Sequence, residues 1–201
     1  IPKKIPILEE DERNPVEKYG LSKKKGEDLC FQYIKNGLDI TIIRPRTILG
    51  DNRLGIFSIL FEWIEKNQKL PVLNHGNNFY QFVDIEDLVV AIYKSSLLQG
   101  SNVFNIGAEK FDTIKNTLDT LIEKAKSQSQ IRNINQNIMF KILTILSRMN
   151  FVPLQDYHLK VYGESVYFDI TKSKKILNWS PKYSSSESMI KSYESYINQK
   201  K

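Results

Sequence analysis

Residues 14–50 read NPVEKYGLSKKKGEDLCFQYIKNGLDITIIRPRTILG, and their pattern sets the fold class. From Val16 to Asn36 the apolar positions Leu21, Leu29, Phe31, Tyr33 and Ile34 recur near a 3.6 period, with no proline inside and Asn-Gly at the end. That pattern predicts a helix with a glycine stop. The β-branched run at 38–45, LDITIIRP, follows directly and reads as a buried strand. A glycine-bearing loop, ILGDNRLG, then leads into IFSILFEWIEK (56–66), whose Ile56, Ile59, Leu60, Trp63 and Ile64 share one helical face.

The alternation continues outward. KLPVL (69–73) is a short strand, NHGNN a turn, and FYQFVDI (79–85) alternates as a strand does. Asp84 can cap the helix of LVVAIYKSSL (88–97), with Asp87 three residues further on in the same capping role. NVFNIG (102–107) is another buried strand closed by glycine. Beyond Gly107 the rhythm changes. Helices are expected over 112–126 and 137–149, joined by the polar link SQSQIRNINQ, and an amphipathic helix over 185–199 ends the chain. Strand–helix alternation over 16–109 predicts an α/β sheet with helical cover, and the remainder a smaller, mainly helical lobe.

Composition narrows the function classes. The 201 residues are 41% hydrophobic and 26% charged, ordinary for a globular protein. The net charge of +6 is spread along the chain, its tightest group being Lys23-Lys24-Lys25, which argues for a solvated surface over a nucleic-acid site. The single cysteine, Cys30, cannot form an internal disulfide and fits a reduced, cytoplasmic setting. His75 and His158 lie far apart with no companion at ligand spacing, so no metal is expected. No apolar run reaches the ~20 residues of a membrane span. NIMFKILTILSRM (137–149) is too short and is interrupted by Lys141, Ser147 and Arg148. No G-x-G-x-x-G motif and no phosphate-binding P-loop occurs among the nine glycines.

Five segments in order resemble the extended short-chain dehydrogenase/reductases of the NAD-dependent epimerase/dehydratase family. Pro15, Tyr19, Gly20, Ser22, Lys23 and Glu27 are similar to that family's segment around its catalytic Tyr and Lys. ITIIRPRTILG, FVDIEDLVVAI, VFNIG and DITKSKKILNWSP resemble the elements that follow it, with Asn178 where glycine is usual. Tyr196 and Lys200 repeat the Y-x-x-x-K spacing without such company.

The resemblance implies the later strands and helices of a Rossmann-type parallel sheet plus a small substrate lobe. The family's N-terminal dinucleotide-binding half, with its glycine motif, lies outside the chain. Residues 1–50 and 86–109 would belong to the Rossmann-type part, and 51–85 and 110–201 to the substrate-binding lobe. The implied cofactor is NAD or NADP, with Tyr19, Lys23, Arg44 and Pro45 at its nicotinamide end and the rest of its site missing. Thr47, Arg53, Tyr80 and Gln81 would meet the substrate. Thr47 stands where many sugar-nucleotide members carry asparagine, and the usual arginine ahead of Phe82 is absent. The implied partner is a small molecule, a sugar nucleotide or related polyol, with no nucleic acid and no membrane. In the full-length protein the resemblance adds a homodimer through the Tyr–Lys helix.

The chemistry is acid–base. Positions i and i+4 share a helix face, so Tyr19 and Lys23 can point into one cleft. A tyrosine free in water titrates near pH ~10, and about 4 kcal/mol of differential stabilisation by neighbouring positive charge would bring a phenol to neutrality. In the family's reaction Tyr19 would take a proton from a substrate hydroxyl during hydride transfer and return it later. The chain alone would be inactive, lacking the pyrophosphate site. Other readings remain open: a reductase of a non-nucleotide carbonyl compound, a non-catalytic binding or scaffold protein of the same fold, and a nucleic-acid module.

Overall fold

The computed structural model describes residues 4–15, 18–51, 55, 57–139, 141, 145 and 163–200. Helix α1 (Lys18–Lys35) follows an irregular N-terminal segment. Its end is set by Gly37, which takes φ +91 while Leu38 N–H donates to the Tyr33 carbonyl, a left-handed stop that glycine adopts without a Cβ penalty. Strand β1 (Thr41–Pro45) runs parallel to β6 (Asn102–Ile106), pairing Thr41 with Asn102 through Pro45 with Ile106. Arg46 alone separates β1 from β2 (Thr47–Leu49), which leaves β6 and pairs in parallel with β5 (Phe82–Asp84). Helices α2 (Phe57–Glu65) and α3 (Ile85–Ser96) lie where the apolar periodicity puts them.

Strand β2 lies largely in the stretch expected as a loop, and two further ladders depart from the sequence expectation. Strand β3 (Leu70–Val72) pairs in parallel with β8 (Ile131–Asn133), inside the stretch read as a polar link. Arg132 and Asn133 are exposed, so this strand is held by backbone pairing and carries no alternating pattern to announce it. Strand β4 (Phe79–Tyr80) pairs antiparallel with β7 (Asp112–Thr113), and helix α4 (Ile114–Lys124) starts two residues later than expected, capped by Thr113. The second lobe is thus mixed α/β. Of the helix expected at 137–149, residues 140, 142–144 and 146–149 lie outside the described residues, as does His158.

Helix α5 (Thr171–Leu177) ends on Asn178, which has φ 45 and ψ 49. Asparagine tolerates this left-handed conformation better than most residues with a Cβ, which explains how it replaces the usual glycine. The last helix, α6 (Ser185–Asn198), opens with a capping box: Glu187 N–H donates to the Ser184 hydroxyl, and Ser184 N–H donates to the Glu187 carboxylate.

Side chains gather in two cores. One joins Leu49, Phe61, Ile64, Leu70, Val72, Phe82, Leu118, Leu121, Met189, Tyr193 and Tyr196 from α2, α4, α6 and the short ladders. The other joins Val83, Leu88, Ala91, Phe104, Ile106, Ile170, Leu177 and Trp179 around β5, β6, α3 and α5. Phe82 and Val83 serve one core each because successive strand residues face opposite ways. Asp84 caps α3 by accepting from Glu86 N–H, as expected. Asp87 does not cap. Its carboxylate accepts from the backbone N–H groups of Lys182 and Tyr183, pinning the approach to α6. Burial pushes its carboxyl upward, opposed by those two hydrogen bonds.

Ser184→Ala is expected to cost about 0.5–2 kcal/mol at neutral pH, measured by urea unfolding. The Ser184 hydroxyl, then its N–H, hold the Glu187 carboxyl below the ordinary 4.5. A lowered carboxyl pKa stabilises the fold fully above the ordinary value and loses that effect as pH falls through the lowered one. The gap between wild type and variant therefore narrows in acid.

Candidate active site

The Tyr–Lys pair sits in the first two turns of α1. Lys23 Nζ lies 5.3 Å from the centroid of the Tyr19 ring, and the Ser22 hydroxyl donates to the Tyr19 carbonyl. The sequence-matched pair at the other end of the chain has similar local geometry, with Lys200 Nζ 4.4 Å from the Tyr196 ring centroid. Burial separates them. Tyr196 is 8% exposed and packs in a core, while Tyr19 is 58% exposed. The Lys200 ammonium is held protonated by its hydrogen bonds to Glu65 and Tyr196, a structural tie between α6 and α2.

None of α1's residues is buried, so apolar packing does not fix its position. Charges do. The Glu27 carboxylate accepts from Arg44 Nε at 3.1 and 3.2 Å and from Nη2 at 2.7 Å, and Arg44 Nη1 donates to the Glu9 carbonyl at 2.8 Å. Arg13 adds bonds to Glu27 at 3.1 Å and Asp28 at 2.7 Å, and lies over the Phe31 ring. Glu9 in turn accepts from Asn105 N–H on β6 at 2.9 Å. Arg44, expected at the cofactor, braces α1 in this structure with its three nitrogens engaged. Pro45, the other residue expected there, is exposed at the C-terminal end of β1. Glu27→Ala leaves three guanidinium nitrogens, two of Arg44 and one of Arg13, without their acceptor and should cost about 1.5–3 kcal/mol. Hydrogen exchange is expected to quicken first in α1.

The expected substrate residues divide. Thr47 Oγ1 and Tyr80 OH meet at 2.8 Å, so β2 and β4 bring these two together. Gln81 is fully buried, donating to the Ala108 carbonyl at 2.8 Å and accepting from Phe168 N–H at 2.8 Å. Gln81, expected at the substrate, thereby ties the chain after β6 to the segment at Phe168. Gly107 is required beside it, since a Cβ there would sit 2.4 Å from Gln81 Cδ. Arg53 lies outside the described residues.

One residue was passed over in the sequence. Arg46, between β1 and β2, stacks over both Tyr80 and Phe168 with centroid distances of 5.0 and 5.1 Å. The signal was available as a second arginine at a strand end, but its aromatic partners come from distant segments. Among the described residues no group of His, Cys, Asp and Glu could hold a metal, and no helix is long and apolar enough to cross a membrane.

Comparison with known proteins places this geometry. Residues 2–107 match the NAD dependent epimerase/dehydratase family. The chain is 41% identical over 196 residues to an uncharacterized protein, y4nG, of Sinorhizobium fredii, covering 97% of this chain and 50% of that one. It is 26% identical over 181 residues to a UDP-glucuronate 4-epimerase of Thermodesulfobacterium geofontis, covering 87% and 49%. Among solved structures, the UDP-glucuronic acid 4-epimerase of Bacillus cereus in complex with UDP-glucuronic acid and NAD superposes with a TM-score of 0.74 at 22% identity, over all of this chain and 58% of that one. The UDP-glucose 4-epimerase of Thermotoga maritima with UDP-glucose gives 0.73 at 20% identity, over 99% and 59%. The chain thus spans about half the length of the curated relatives it matches, and its α/β architecture is part of their Rossmann-type fold. With its motifs in family order and more than half its length matched, the chain belongs to the NAD-dependent epimerase/dehydratase family.

Proposed function

We propose that the protein carrying this chain performs NAD(P)-dependent epimerisation, dehydration or oxidoreduction of a sugar nucleotide or related polyol, with Tyr19 as acid/base. The observation that carries this reading is the exposed Tyr19 ring with the Lys23 ammonium 5.3 Å from its centroid. A positive charge held this close to the ring would favour the phenolate when the phenol gives up its proton. Tyr19 would take the proton of a substrate hydroxyl and return it when the oxidised carbon is reduced. A nicotinamide cofactor, when bound, supplies the hydride transfer. Tyr19 and Lys23 are the residues of this chain that would hold its ribose, and both lie on the exposed side of α1. The residues present fit that end of the cofactor only, since no glycine motif for the pyrophosphate occurs.

Thr47 and Tyr80 would contact the substrate. The division into a Rossmann-type part, 1–50 and 86–109, and a substrate lobe, 51–85 and 110–201, is part of this reading, although both cores cross it, Leu49 packing in the first and Val83, Ile170, Leu177 and Trp179 in the second. Leu21, Leu29 and Tyr33, exposed on α1, support a homodimer through that helix in the full-length protein.

Two measurements test this reading. The intact protein incubated with NAD and a panel of UDP-sugars should interconvert at least one of them. This chain alone, titrated with NADH and followed by fluorescence, is expected to show no binding. Micromolar affinity would overturn the dependence on residues outside it.

A further inference from the structure

We propose that Arg46 is an oxyanion-binding residue, receiving a carboxylate or phosphate group of the ligand at the junction of β1 and β2. The site adjoins Thr47 and Tyr80, the substrate residues of the proposed function, and the ligand's larger identity rests on that reading. It begins from an unbalanced charge. Arg46 is half-buried, Nη2 donates to the Val166 carbonyl at 3.1 Å, and Nε is shut off from solvent with no acceptor. No carboxylate among the described residues pairs with it, whereas the other two half-buried arginines, Arg13 and Arg44, both hold Glu27. A cation withdrawn from water without a counter-ion is costly, and an arriving anion would relieve that cost.

The surroundings suit recognition. Tyr80 and Phe168 lie against the guanidinium at 5.0 and 5.1 Å, which offsets part of the desolvation and restricts its plane. A guanidinium held in a defined plane suits the two-oxygen edge of a carboxylate or phosphate. Beside it, Thr47 Oγ1 and Tyr80 OH share one hydrogen bond. Two hydroxyls carry two protons and the bond between them uses one, so the second can be donated to a ligand oxygen. The position is the C-terminal end of a parallel strand, where open α/β sheets take their ligands. The stretch 77–82 has no cation of its own, and β1 delivers one to it.

The test uses the intact protein as wild type, Arg46→Lys and Arg46→Met. Methionine keeps an apolar stem against the two rings and removes the charge. Calorimetric titration with inorganic pyrophosphate, glucuronate, UDP-glucose and UDP-glucuronate separates the sources of the anion. Binding of at least one anionic probe should fall about tenfold or more in Arg46→Met, with Arg46→Lys between. Loss confined to pyrophosphate and both nucleotides assigns the diphosphate. Loss confined to glucuronate and UDP-glucuronate assigns the sugar carboxylate. If the simple anions bind through Arg46 while neither sugar nucleotide binds, the inference stands and the sugar-nucleotide reading falls. Should the variants misfold, the Nε–H resonance of Arg46 in wild type must move when the binding probe is added. Equal affinities in wild type and Arg46→Met, no binding of any probe to wild type, or an unmoved resonance would each overturn the proposal.

Discussion

Replacing Tyr19 by phenylalanine in the intact protein should lower kcat by about 10²–10⁴-fold, the range expected for loss of a positioned acid/base. Thermal unfolding should not move, because the ring is 58% exposed and the substitution removes one oxygen from a surface that no core depends on. KM should change little, which separates a lost proton transfer from lost binding. Tyr196→Phe supplies the internal control. It has the same lysine spacing and a comparable lysine–ring distance, but its ring is in the core and its hydroxyl bonds Glu65. It should cost stability, about 1 kcal/mol for the lost hydrogen bond, and leave kcat unchanged. A Tyr19→Phe enzyme with wild-type kcat would remove the acid/base assignment, whatever the family.

Phe61→Ala should be the most destabilising single truncation in the core that joins α2, α4 and α6, at about 3–5 kcal/mol. Phe61 is fully buried and stands at the centre of an aromatic cluster. Its ring centroid is 5.5 Å from Tyr193, edge-on at 76°, 5.7 Å from Tyr196 and 6.4 Å from Phe57. The partners come from α2 and α6, so the surrounding helices cannot close the cavity without moving apart from their other contacts. At roughly 2–4 °C per kcal/mol for a chain of this size, the midpoint should fall by about 6–20 °C. Phe61→Leu, which retains most of the volume, should cost distinctly less. A shift of only a degree or two in the alanine variant would mean that α6 does not close this core.

Legibility in the sequence followed the physics of each element. Helices α2 and α3 and strands β1, β5 and β6 were readable because burial writes its period into the residue types, and α1 was readable from its apolar spacing and glycine stop although none of its residues is buried. Strands β7 and β8 were not readable. Asp112, Arg132 and Asn133 are there for their backbone pairing, and the pairing partners lie 32 to 61 residues away. Among candidate site residues, Tyr19 and Lys23 stood out through local spacing and the four family-like segments that follow. The contacts of Arg44, Gln81 and Arg46 were not legible, for one shared reason. A polar side chain's role is decided by what it meets, and Glu27, Ala108, Phe168, Tyr80 and Val166 reach them only through the fold.

Periodicity and short-range spacing were enough for the family and for most of the strand and helix order up to Gly107, and they singled out Tyr19 and Lys23 as the candidate pair. Which of two tyrosine–lysine pairs is exposed, which arginine braces a helix and which is left with its charge unmatched follow from the fold. Burial and charge pairing are properties of residues distant in the chain and adjacent in space, and no local pattern carries them.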